Sequence, residues 1–285
     1  MTRVRLAGRA QLQALLIFAG LVLCLHSGTL AQEEANPGRP TVSTPATLTP
    51  VGYLQFESGL LGAEASGEFA NRTSIQEVVK LSVAQRLEFL VQTEPLVQAD
   101  IGNAGTLEPG DVSAGLQVVV VSGKERRPTI SVSYFHSVYS SSAPDLDIGS
   151  TRQSGVLLVS FDLGKFHVDT NGIVGEQIDD RVHRAQFGQT LSVSRPVYHQ
   201  LGLTAEFWHF SQPFLKGNAA GFLFAPTYSL RKNLVLDAGF NRGLTTSSTR
   251  WEVFAGFTYL LPRKLWGTRK TSSQPPAAAK AWWTE

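Results

Sequence analysis

The sequence predicts an all-β protein, a transmembrane antiparallel up-and-down β-barrel of about twelve strands with short periplasmic turns and longer extracellular loops. Three observations predict it. An export signal opens the chain, alternating apolar and polar stretches fill the region from Val51 to Leu261, and the connections between them are in turn long and short.

The first 31 residues read as a secretory signal: Arg3, Arg5 and Arg9, then an apolar run from Ala14 to Leu25, then small residues at Thr29 and Ala31. That run is too short to cross a bilayer as a helix. Cleavage after Ala31 removes three of the 25 basic residues and none of the 23 acidic ones, so the net charge becomes −1. It also removes Cys24, the one cysteine, which excludes disulfides, thiolate catalysis and Cys-ligated metals in the mature chain. No Lys/Arg stripe with interleaved aromatics appears, so nucleic acid is not an expected partner. No later apolar run is long enough for a helical span, which leaves barrels as the spanning structures. Residues 32–50, with Pro37, Pro40, Pro45 and Pro50, read as a flexible Pro/Thr-rich periplasmic leader. Residues 51–266 are the outer-membrane barrel, and 267–285 a disordered periplasmic tail.

In the first strand Tyr53, Gln55 and Glu57 share one face, and Leu54, Phe56, Ser58 and Leu60 the other. A second strand covers about Arg72 to Val83, and a third sets Leu87, Phe89 and Val91 against Arg86, Glu88 and Gln92. Val112 to Val120 alternates with Asp111, Ser113, Gly115 and Gln117. Ile130, Val132, Tyr134 and Val138 oppose Thr129, Ser131, Ser133 and Ser137. A tight pair follows, Leu157 to Leu163 and Phe166 to Val174, with Ser160, Asp162, His167, Asp169 and Asn171 on the polar side. Ala185 to Val193 and Leu203 to Phe207 repeat the pattern. Phe222 to Leu230, Leu234 to Phe240 and Trp251 to Leu261 close the sheet.

Connections near 84–85, 122–127, 164–165, 195–200 and 231–233 are compact, whereas those near 100–110, 141–153, 177–182 and 211–218 are longer and richer in Asp, Gly, Ser and Pro. An outer-membrane meander segregates loop length between its two ends in this way, and an even strand count puts both termini on the periplasmic side. The competing soluble periplasmic β protein has no reason to do so, because Greek-key crossovers mix the ends of a sandwich. Tyr53, Tyr139, Trp208, Phe210, Tyr259 and Trp266 are candidates for the interfacial girdles.

If the apolar faces meet lipid, then Arg86, Glu88, Glu94, Asp111, Gln117, Asp162, His167, Asp169, Glu206, Arg231, Asp237, Asn241 and Glu252 face the lumen. Such a set is either a charged constriction that selects solutes or a ladder of ion pairs that fills a narrow barrel. A rim-site lipid hydrolase is the enzymatic alternative, with His209-Phe210-Ser211-Gln212 and His136-Ser137 as the nearest approaches to a nucleophile and base. His167 and Asp169 share a face but are too few for a catalytic zinc site, so no metal and no cofactor is expected.

Several of these pieces together resemble the outer-membrane barrel family named for the MetA pathway of phenol degradation. They are Tyr53-Leu54-Gln55-Phe56-Glu57, Arg86-Leu87-Glu88-Phe89, Gly110-Asp111-Val112-Ser113-Ala114-Gly115-Leu116-Gln117, Leu203-Thr204-Ala205-Glu206, Leu236-Asp237-Ala238-Gly239-Phe240-Asn241-Arg242-Gly243-Leu244 and Phe254-Ala255-Gly256-Phe257-Thr258-Tyr259. Gln117 replaces the family's usual Lys, and the tail beyond the last strand is a departure from its pattern. The resemblance implies passage of small solutes, hydrophobic or aromatic ones included. The expectation is a monomeric, non-enzymatic barrel channel whose partners are outer-membrane lipids, small-molecule solutes and the barrel-assembly machinery. A structural or adhesive barrel without an open pore is the alternative.

Overall fold

Side chains that alternate with a period of two demand a pleated sheet whose two faces meet different media. The computed structural model describes residues 33–102, 104–124, 127–146, 151–179, 181–215 and 217–266, so the signal and the tail lie outside the described residues. Its strands are β1 (Leu54–Glu64), β2 (Asn71–Ala84), β3 (Leu87–Ile101), β4 (Ala104–Glu108), β5 (Val112–Val121), β6 (Thr129–Tyr139) and β7 (Gln153–Leu163). The order continues with β8 (Phe166–Asp179), β9 (Val182–Tyr198), β10 (Leu201–Phe210), β11 (Ala219–Arg231), β12 (Leu234–Gly243) and β13 (Trp251–Leu260). Neighbours pair antiparallel, β1 pairs with β13, and the β2–β3 ladder completes the ring. β4 and β5 lie end to end along β3, so the wall is a closed 12-strand barrel.

The faces are inverted relative to a soluble protein. Leu60, Phe89, Leu157, Phe187, Leu191, Phe207 and Val253 are exposed on the outer surface, whereas Gln55, Glu57, Glu88, Gln117, Asn171, Ser192 and Thr258 are buried in the interior. Leu191 is 48% exposed and Glu88 only 2%, an order that only an apolar exterior solvent makes favourable. Lipid supplies that solvent, and the chain is an outer-membrane β-barrel. Tyr139, Trp251 and Trp266 lie exposed near strand ends, as girdle residues should. Trp208 and Phe210 do not: both point inward and are fully buried, which corrects their assignment to the girdle. The parity of β10 fixes this, because Trp208 and Phe210 share a face with Glu206.

At one end of the barrel the connections are 85–86, 122–128, 164–165, 199–200 and 232–233; at the other they include 65–70, 140–152, 211–218 and 244–250. The 164–165 turn is tight because Gly164 adopts φ 64°. Two connections expected to be loose are strand instead. The 100–110 segment is a hairpin in which β4 folds back on β3, and β8 runs on to Asp179 and β9 begins at Val182, the two paired along this whole length. Polar residues at these positions reflect strands projecting past the lipid belt, where both faces are wet.

One distortion positions the interior chemistry. The β2–β3 register shifts between Ile75 and Glu77, so inward residues of β3 pass from Glu88 and Leu90 to Val97 and Ala99. Pro95 in this bulge has no N–H to give. Across it, Gly110 donates to Glu94 O at 2.7 Å and Glu94 donates to Asp111 O at 3.2 Å, which holds the junction between β4 and β5 against the wall.

The outward belt makes a direct prediction. Leu191→Arg, near the middle of β9, costs about 2–4 kcal/mol of barrel stability in urea unfolding from phospholipid vesicles, whereas an arginine at the rim position Tyr198 costs about 0–1 kcal/mol. Equal costs at the two positions would contradict a lipid-facing belt.

Candidate functional site

The Pro-rich leader does not hang in the periplasm. Residues 35–50 run inside the bore, and Ser43, Ala46 and Thr49 are among the most buried residues of the protein. This corrects the expectation of a mobile leader. Proline bars these residues from a sheet, but an extended chain rich in Pro has little conformational entropy left to lose, and side chains of the wall can serve its N–H and C=O groups instead.

The leader starts at the short-turn end, where Ala35 donates to Lys232 O at 2.8 Å, and passes β1, where Asn36 donates to Gln55 at 2.8 Å. The N–H groups of Gly38 and Arg39 both donate to the Glu57 carboxylate, which Lys80 also binds at 2.5 Å. Arg39 reaches Asp237 on β12 at 3.2 Å. The chain then crosses the bore. Val42 and Ser43 donate their N–H groups to Glu206 on β10 at 2.7 and 2.6 Å, and the hydroxyls of Ser43 and Thr190 lie 2.8 Å apart. Thr44 exchanges two hydrogen bonds with Asn171 on β8, Ala46 binds Ser160 and Ser131, and Pro45 O accepts from Gln117 on β5. Thr49 closes the circuit: its N–H donates to Glu88 at 2.8 Å, its hydroxyl also binds that carboxylate, and Ser82 donates to it as well.

Glu57, Glu88 and Glu206 thus each hold the leader by paired donors. Hydrogen bonds to a charged acceptor contribute about 1.5–3 kcal/mol apiece, and a buried carboxylate stripped of them loses more. The wall is shaped for this cargo. A Cβ at Gly59 would stand 2.3 Å from the Arg39 guanidinium, and one at Gly256 would meet it at 2.8 Å, so glycines of β1 and β13 make the slot through which Arg39 reaches Asp237.

Above the leader, toward the long loops, lies a chamber of about 400 Å³. Residues 38–42 of the leader form its floor, and Trp208, Leu61, Leu223 and Phe254 give it an apolar wall. Glu94, Asp111, Asn241 and Glu252 contribute polar groups. The 140–146 segment bends over it. Ser141 donates its N–H to Asp111 at 2.6 Å and its hydroxyl to Pro109 O, and Pro144 O accepts from Arg72, whose other nitrogens bind Glu94 at 2.6 Å and Ser74 at 2.9 Å. Leu146 packs onto the cluster of Leu61 and Phe254.

The residues singled out from sequence fall into four groups. Glu88, Gln117, Glu206 and Asp237 touch the leader, while Glu94, Asp111, Asn241 and Glu252 line the chamber. Asp162, His167 and Asp169 form a separate cluster near the 164–165 turn, with His167 Nδ1 2.7 Å from Asp162 and Nε2 3.3 Å from Asp169. Arg86 and Arg231 sit exposed at the short-turn rim and not in the bore, because β2 ends before the first and β11 ends at the second. Sequence reasoning missed Arg39, Arg72 and Lys80, bases that pair with carboxylates of the interior. The signal for Arg72 and Lys80 was available, since both share the face of Ser74 and Ser82 on β2.

No protein-family model and no curated protein matches the chain. Among solved structures it is similar to the COG4313 outer membrane channel from Pseudomonas putida F1, at 14% identity and TM-score 0.57 over 80% of this chain and 100% of that one. It is also similar to the NanC porin, at 9% identity and TM-score 0.51 over 71% of this chain and 98% of the other. These likenesses establish the fold, that of the outer-membrane barrels.

Proposed function

We propose that the chain is an outer-membrane channel for passive diffusion of small solutes, hydrophobic or aromatic ones included, and that its leader is the gate. The observation that carries this reading is the leader itself, a sixteen-residue segment bonded around the inner wall below a partly apolar chamber. An apolar chamber with a few convergent polar groups is the usual form of a small-molecule site. The names of the similar structures, an outer membrane channel and a porin, point the same way, as does the resemblance to the phenol-degradation family. No nucleotide motif is visible in the sequence, so a concentration gradient supplies the drive.

The lipid hydrolase is disfavoured by geometry. His209 Nδ1 is buried without a hydrogen-bond partner, and the Ser211 hydroxyl accepts the N–H of Phe187 at 2.8 Å, so the two do not form a nucleophile and base. Ser211→Ala leaves phospholipid turnover at the background of the lipid alone, and a loss of measurable turnover on this substitution would restore the enzymatic reading.

Planar-bilayer recordings test the gate. Deleting residues 35–49 raises single-channel conductance and abolishes closures, and Glu206→Ala raises the open fraction roughly tenfold by removing the acceptor of Val42 and Ser43. A Ser43→Cys/Thr190→Cys pair, in a mature chain with no other thiol, holds the channel shut until a reductant is added. Unchanged conductance after the deletion would remove the leader from gating, and silence before and after it would favour the closed structural barrel.

A further inference from the structure

We infer that the outer face of the short-turn rim, where β7, β8 and β9 meet, is a seat for the headgroup of an anionic phospholipid. The inference rests on the barrel alone and not on the channel reading. Leu163 and Phe166 are exposed on the outer wall at this corner, and the Arg195 guanidinium lies over the Phe166 ring, 5.4 Å from its centroid. The register puts it there. His167 pairs with Ser194, so Phe166 and Arg195 fall opposite each other, and Arg195 shares the lipid-side parity of Leu191. Lys165 follows Gly164 in the adjoining turn and is exposed. Neither Arg195 nor Lys165 has a carboxylate partner among the described residues.

The nearby acids take the other face. Asp162 and Asp169 share the inward parity of Ser160 and Asn171, and His167 lies between them at 2.7 and 3.3 Å. The wall thus divides the charges of this corner, with the carboxylates inside and the cations outside. Arg86, Lys124, Lys232 and Lys264, in or beside other turns of this end, likewise have no carboxylate partner among the described residues, while Glu33 and Glu34 stand at the mouth with the leader. The loop end is mixed instead, with Glu64, Glu68 and Glu108 among Arg152 and Arg250.

Lipid supplies the complement. Short turns face the periplasm, where the membrane leaflet is phospholipid, and a cation on the outer wall costs little at interface depth. The Phe166 ring takes one face of the Arg195 guanidinium and leaves its edges to a phosphodiester, which accepts their N–H groups. Acyl chains of the same lipid continue along the belt of Leu157 and Leu191. Lys165 and Arg195 would repel the ammonium of an ethanolamine headgroup, which selects a lipid whose net charge is negative.

Electron paramagnetic resonance of spin-labelled lipids tests the seat in phosphatidylcholine vesicles that hold the full-length mature protein. Phosphatidylglycerol associates with the wild-type barrel about fivefold more strongly than phosphatidylethanolamine of the same chains at low ionic strength, and the preference shrinks as salt is added. Arg195→Gln combined with Lys165→Gln lowers the ratio to about twofold. Arg242→Gln, which removes the cation over Trp251 near the loop end, leaves it unchanged. Equal association of the two lipids with the wild-type protein overturns the inference without recourse to any variant, and an undiminished ratio in the double variant overturns the assignment to this corner. Calorimetry of the detergent-solubilised protein separates the other sources of negative charge. Glycerol 3-phosphate bound as tightly as phosphatidylglycerol would make this a free-phosphate site, and polyglutamate bound without any lipid preference would give the rim to an acidic periplasmic protein; either result overturns the lipid seat.

Discussion

A carboxylate enclosed by a protein wall must be given donors, and in the bore of this barrel the leader supplies many of them. Glu57, Glu88 and Glu206 face inward from β1, β3 and β10. Of these, Glu57 has Lys80, while Glu88 and Glu206 look chiefly to the N–H and hydroxyl groups of the leader. The leader in turn has no sheet to join and needs acceptors for its N–H groups. Each solves the other's problem, and the strand parity that points a residue inward also decides where the leader can lie.

From that arrangement follows the division of the interior into two storeys. Most of the anchors lie toward the short turns, so the leader fills the lower bore and leaves the upper bore to other side chains. There the inward positions are larger and more apolar, with Leu61, Leu223, Phe254 and Trp208 beside the distorted stretch of β3. The distortion keeps Glu94 directed inward beside Arg72, and the same junction offers Asp111 and Pro109 to the overhanging 140–146 segment. A chamber bounded by the leader below and a loop above is a compartment, and not a plain hole.

Much of the wall was legible. Alternation over stretches such as Ala185 to Val193 identifies both the strand and its lipid side, because a period of two has one physical meaning when apolar residues face out. The bounds of β5 and β6 lie within a residue or two of those read from the pattern. Two loops were misread because Asp and Gly mark a projecting hairpin as readily as an irregular loop. The leader was misread for a related reason: Pro37, Pro40 and Pro45 exclude a strand, and exclusion from the sheet was equated with disorder. The clue lay in the strands. Glu88 and Glu206 belong to the stretches that resemble the phenol-degradation family, and an inward glutamate that draws on no neighbouring strand cation asks for a donor from elsewhere.

The Arg39–Asp237 contact joins residues 198 positions apart, across the seam where the cylinder closes. Arg39 emerges near the start of the mature chain, yet its partner belongs to the penultimate strand, and the slot it occupies is formed by β1 and β13 together. That slot is complete only where the last strand has met the first. Arg39 can have its full set of neighbours only inside a sealed cylinder, so its seating reports closure of the seam between β1 and β13.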